Sequence, residues 1–91
     1  MRLRWRLSAV SDLAHIRDYI AVNSPSGAQN VVDRVLRSVA RLRLFPRSGR
    51  VGQIHGTREL VVPGLPYIVV YTHDDGGVDI VAVFHGAQQR G

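Results

Sequence analysis

Two apolar runs, Tyr67 to His73 and Val78 to His85, stand either side of Asp74-Asp75-Gly76-Gly77. Both are rich in β-branched and aromatic residues, and an Asp-Gly step between such runs is the strongest short-range signal for a hairpin. A third run, Thr57 to Val62, leads into them through the turn signal Pro63-Gly64-Leu65-Pro66. If Asp75-Gly76 forms a type I′ turn, Tyr71 faces Ile80 and Ile68 faces Val83. A tight turn at Pro63 to Pro66 pairs Val62 with Tyr67 and Glu59 with Val70. Strict alternation then puts Arg58, Leu60, Val62, Tyr67, Val69, Tyr71, Val78, Ile80, Ala82 and Phe84 on one face. The other holds Thr57, Glu59, Val61, Ile68, Val70, Thr72, Asp79, Val81, Val83 and His85. The first face carries the large aromatics, so it is expected to be the covered one.

The cover comes from the N-terminal half. Residues 2 to 7, RLRWRL, alternate strictly, with Leu3, Trp5 and Leu7 on one side and Arg2, Arg4 and Arg6 on the other, as in a half-buried strand. Ser8 or Ser11 can cap a first helix with Leu13, Ile16 and Ile20 on one stripe and Asp12 in its first turn, ending near Asn23. Ser24-Pro25 reads as an N-cap followed by proline at the first helical position. The second helix carries Ala28, Val31, Val32, Val35, Leu36 and Val39 on one face, and Asp33, Arg34, Arg37 and Arg41 on the other. An Asp33/Arg37 pair at four-residue spacing fits that solvated side. The predicted fold is a single α+β domain over residues 1–91, in the order β-α-α-β-β-β. A helical hairpin packs on one face of a mostly antiparallel four-stranded sheet.

Composition narrows the function. The chain has 12 basic residues, all arginine, against 7 acids, for a net charge of +5. Such a surface favours an anionic partner, nucleic acid or acidic protein. There is no cysteine, which excludes a thiolate nucleophile or a Cys-based zinc site. His15, His55, His73 and His85 lack metal-ligand spacing, so neither a metal nor a cofactor is expected. Gly49 to Gly52 lacks the Lys-Ser/Thr ending of a phosphate loop. No stretch approaches a membrane span, and a cytoplasmic protein is expected.

The phrases SDLAHIRDYI, SPSGAQNVVDRV, FPRSGRVG, GTRELVVPGLPYIVVY and VDIVAVFHGAQ, in this order and spacing, closely resemble the RelE/ParE family of bacterial type II toxins. The resemblance covers nearly the whole chain. It implies a toxin of this size and element order, paired with a ParD-like antitoxin that wraps a flexible segment over it as a hetero-oligomer. RelE-like members resemble ribosome-dependent mRNA endoribonucleases, which need a base, an acid and cations around the phosphorane. ParE-like members inhibit DNA gyrase by binding.

At the position after Tyr67 where ribonuclease members carry an arginine, this chain has Ile68, and it has no lysines. Glu59 and His85 lie roughly 16 Å apart in the expected register, too far to share one scissile phosphate. These features favour the gyrase-binding branch with no catalytic residue. In the ribonuclease alternative, His85 with Arg4 and Arg6 would form the site. A third alternative is a toxin-fold protein that binds an antitoxin but has no active target. Arg47, Arg50 and Arg58 are the expected target-binding residues. Val61, Ile68, Val70, Val81 and Val83 form an expected apolar strip for an acidic, amphipathic antitoxin segment. Trp5, Tyr67 and Tyr71 are in phase with the covered face and are expected in the core.

Overall fold

The computed structural model describes residues 1–88. Its elements are β1 (Arg2–Trp5), α1 (Leu7–Ala21), α2 (Pro25–Ala40), a 3-10 turn (Arg41–Arg43), β2 (Arg50–Val51), β3 (Arg58–Val61), β4 (Tyr67–Asp74) and β5 (Gly77–His85). The sheet has the order β1-β5-β4-β3-β2, with β1 parallel to β5 and the other pairs antiparallel. It therefore has five strands where four are expected. The added β2 is a two-residue edge that pairs Arg50 with Glu59 and Val51 with Arg58.

α2 follows its sequence closely. The Ser24 hydroxyl accepts from the Gly27 N–H at 3.0 Å, Pro25 opens the helix, and Ala28, Val35 and Val39 are buried. Asp33 accepts from the Gln29 amide at 2.8 Å instead of pairing with Arg37. α1 departs from expectation at its start, which lies at Leu7 with Arg6 as an N-cap that has no side-chain bond. No acid lies in its first turn. The cause is β5, whose edge loses β1 as a neighbour after the Trp5–Ile80 pair. The Arg6 N–H donates to Ile80 O (2.9 Å), the Ser8 hydroxyl donates to Val81 O, and Asp12 Oδ2 accepts from the Val83 N–H (2.9 Å). Groups that could cap the helix thus satisfy the strand's bare edge.

Tyr71 pairs with Ile80 as expected, and Val62 N–H donates to Tyr67 O across the Pro63 to Pro66 turn. Neither Asp75 nor Gly76 has a positive φ, so the hairpin turn is not type I′. Asp74 Oδ1 accepts from the N–H groups of Gly76 and Gly77, and the left-handed backbone falls on Gly77 (φ 152°).

Beyond Tyr71 the register shifts at a β-bulge. Val70 pairs with Ala82, Val69 with Val83, Ile68 with Phe84 and Tyr67 with His85, and Val81 is the extra residue. A bulge inserts one position and reverses the alternation after it. The expected Ile68–Val83 pair and part of the two faces are therefore corrected. Val83 joins Ala9, Leu13, Val35, Val39, Leu42, Val62, Val69, Tyr71, Val78 and Ile80 in the helix-side core, with Tyr67 beside it and Trp5 packed at its margin. Ala82 and Phe84 move to the opposite face, where they cluster with Ile68, Val70 and Val81.

Candidate functional site

The helix-free face of the sheet has an apolar centre between charged flanks. Ile68, Val70, Ala82 and Phe84 are each less than a tenth exposed, and Val81 is half-buried against them. On one flank Asp79 on β5 accepts from Arg4 Nε and Nη2 (both 3.1 Å) and from Arg6 Nη2 (3.2 Å). The Arg4 hydrogen bond, with the charges of Arg4 and Arg6, holds the Asp79 carboxyl below the usual carboxylate range. On the other flank Glu59 on β3 accepts from Arg50 Nε (3.2 Å) and Nη2 (2.9 Å). The expected antitoxin strip is consequently smaller than the sequence suggests. Val83 lies in the other core, Ile68 and Val70 are buried within the chain, and Val61 (49% exposed) and Val81 are the accessible members.

His85 sits at the far end of β5, on the helix side because of the bulge. Its ring meets Tyr67 edge-on at 5.6 Å between centroids. His85 Nδ1 accepts from the Ala87 N–H at 3.0 Å, so the neutral ring carries its proton on Nε2. The His85 N–H and carbonyl bind Gln88 Oε1 and the Gln88 N–H, closing the turn. His85 borders an open groove of about 510 Å³ with Asp12, His15, Tyr19 and Tyr67. Burial, with Tyr19 nearby, pushes the Tyr67 phenol up. Arg4 and Arg6 are not part of this groove. Their partner Asp79 is six residues from His85 along β5, about 20 Å at strand rise, and on the opposite face. The His85, Arg4 and Arg6 constellation is not assembled. Among the described residues no group of His, Asp and Glu could hold a metal ion.

Arg47, Arg50 and Arg58 lie around the loop that β2 closes, but in different states. Arg50 is held by Glu59, and Arg58 donates to the Gly49 carbonyl at 2.8 Å. Arg47 is exposed, and among the described residues no hydrogen bond or ion pair engages it. The loop is anchored by the fully buried Tyr71, whose hydroxyl donates to Pro46 O (2.6 Å) and accepts from the Gly49 N–H (2.9 Å). A Cβ at Gly49 would stand 2.6 Å from that hydroxyl and 2.8 Å from the Glu59 carbonyl, so only glycine fits.

The helical hairpin bears a further hollow, of about 290 Å³, bordered by Trp5, Val10, Leu13, Ala14, Val32 and Leu36. Val10 (49%) and Leu36 (44%) leave much of their aliphatic surface in water. The sequence carried its signal in Val10 and Leu36, which widen the two apolar stripes beyond what the sheet can cover. The arrangement as a whole offers apolar docking surface and fixed charge. The groove beside His85 gathers Asp12, His15 and two tyrosines, but among the described residues no arginine lines it to meet phosphorane charge.

Over residues 3–90 the chain matches the profile of the ParE toxin of the type II toxin–antitoxin system, parDE. It is 42% identical to the Y4kP protein of Sinorhizobium fredii, over 97% of this chain and 91% of that one. With toxin RelE2 of Caulobacter vibrioides it shares 37% identity, over 92% of this chain and 93% of the relative. The fold superposes on a chain of the chromosomal ParDE TA system from P. aeruginosa with a TM-score of 0.83. That match covers 93% of this chain and 95% of the other at 24% identity, a likeness of fold.

Proposed function

Because this chain belongs to the ParE toxin family of type II toxin–antitoxin systems, we propose that it acts by binding DNA gyrase in the cytoplasm, not by cutting RNA. The observation that carries this reading is the state of the polar groups a ribonuclease would use. Arg4, Arg6 and Arg50 are committed to Asp79 and Glu59, and His85 lies on the other side of the sheet with Nδ1 occupied. A phosphorane needs uncommitted donors aimed at one point. A binding surface needs only accessible contacts. Arg47, the uncommitted member of the expected target-binding set, is the first candidate for a contact with gyrase acids.

The reading includes a ParD-like antitoxin as partner. Its aliphatic anchors would enter the hollow at Trp5, Val10, Leu13 and Leu36, with Val61 and Val81 as lesser contacts, and its acids would face exposed arginines such as Arg17, which lines that hollow. The experiment is to add the purified chain to a gyrase supercoiling reaction and, separately, to a translating ribosome extract. Loss of supercoiling with intact mRNA is the expected result. Cleaved mRNA that disappears with His85→Ala, while supercoiling is unaffected, would establish the ribonuclease reading. Intact mRNA together with unaffected supercoiling would leave a protein that binds an antitoxin only.

A further inference from the structure

From Arg34 to Arg58 the chain holds seven arginines and no acid. Arg34, Arg37 and Arg41 start this segment at spacings of three and four residues, so they fall within one narrow stripe of α2. That stripe is turned away from Val35 and Val39 in the core. Four arginines elsewhere are spent on carboxylates, Arg4 and Arg6 on Asp79, Arg17 on Asp18 and Arg50 on Glu59, while Arg43 and Arg58 bond backbone carbonyls. Along this stripe none is spent on a carboxylate among the described residues. Arg34 donates to the Pro63 carbonyl at 2.6 Å, which ties the helix to the β3–β4 turn and holds its guanidinium in place. Between them Arg34, Arg37, Ser38, Arg41 and Pro63 enclose a shallow hollow of about 190 Å³, large enough for a phosphate group.

We infer that this arginine ridge binds the phosphodiester backbone of duplex DNA, a contact separate from the gyrase and antitoxin surfaces proposed above. Arg34 to Arg41 spans about 10.5 Å of helix. Over the same length a duplex presents roughly six phosphates, so a straight duplex can meet all three guanidiniums. The hollow contributes a serine hydroxyl and guanidinium forks, which suit phosphate oxygens. A single strand would call for several stacking rings, and the one exposed aromatic beside the ridge is Phe45. An acidic peptide would need apolar anchors along the ridge; the apolar hollow at Phe45, Leu60 and Pro63 adjoins its Arg41 end only, and the stripe between Arg34 and Arg41 offers Ser38. The contact is independent of base sequence, because nothing in the ridge reaches for base edges.

The test is fluorescence anisotropy of a labelled random duplex with the full chain at 50 to 200 mM salt. Two variants are compared, Arg37→Gln/Arg41→Gln and Arg2→Gln/Arg17→Gln, which lower the +5 formal charge equally. Both leave the Arg34–Pro63 bond intact, and circular dichroism confirms folding. The ridge variant should lose about 1.8 from the slope of log affinity against log salt. Affinity of the unaltered chain should then fall about twelve-fold more than that of the ridge variant over this salt range. The Arg2/Arg17 variant should keep the original slope. Equal slope losses in both variants would mean attraction by diffuse charge and overturn the assignment. So would tighter binding to a single strand or to polyglutamate than to the duplex.

Discussion

The bond from the Val83 N–H to Asp12 Oδ2 joins the first helix to the stretch of the β5 edge that β1 does not reach, and Asp12→Ala removes it without touching the core. A hydrogen bond to a charged group contributes about 1.5–3 kcal/mol, and its loss leaves a part-buried N–H without an acceptor. For a domain whose whole stability is about 5–15 kcal/mol this is a large fraction. At ~4–8 °C per kcal/mol, a loss of ~2 kcal/mol lowers Tm by about 8–16 °C. Asp12→Asn keeps an acceptor oxygen and should fall between the two. Urea unfolding followed by the fluorescence of the single tryptophan, Trp5, gives the free energy, and amide hydrogen exchange at Val83 reports the bond itself. Asp12→Ala with unchanged stability and unchanged protection at Val83 would refute the account of why α1 starts where it does.

Val83→Ala should destabilise by about 1.5–3 kcal/mol because Val83 is 3% exposed in the helix-side core. Val81→Ala should cost less, and the opposite order in urea midpoints would return Val83 to the outer face. Gly49→Ala should cost about 1–3 kcal/mol by driving a methyl into the Tyr71 hydroxyl and the Glu59 carbonyl, and a thermal melt equal to that of the unaltered chain would contradict this. The lowered Asp79 pKa predicts stabilisation present above the unfolded carboxylate value near 4 and lost as pH falls through the folded value. Urea midpoints between pH 6 and pH 3 should therefore drop less steeply in Asp79→Asn than in the unaltered chain.

α2 was legible because its cap, its proline and its 3.6-residue stripe all point one way, and the β4–β5 hairpin because two apolar runs flank an Asp-Gly step. The bulge was hidden by the very residues that form it. In Val81-Ala82-Val83-Phe84 every position is apolar, so inserting one residue leaves no mismatch in the pattern, yet it carries Val83 and His85 to the other face. β2 has only Arg50 and Val51, too short to show a period. The candidate site was legible in kind, since the arginines and the apolar strip were visible as residues. Which arginines are spent was not: Arg4 and Arg6 meet an acid on the last strand, and a local reading has no access to such a partner.

β1 has its place only beside β5, where Arg2 lies opposite Gly77 and Trp5 opposite Ile80. Closing so distant a pair is entropically slow, and its contacts are repaid only once both ends are present. A chain still lacking Gly77 to His85 has no neighbour for its first strand. Its first helix likewise lacks the carbonyls of Ile80 and Val81 and the N–H of Val83 to bond. Synthesis that stops short therefore yields no smaller version of the domain. Whatever surface the protein presents to a partner arrives all at once, with the last strand.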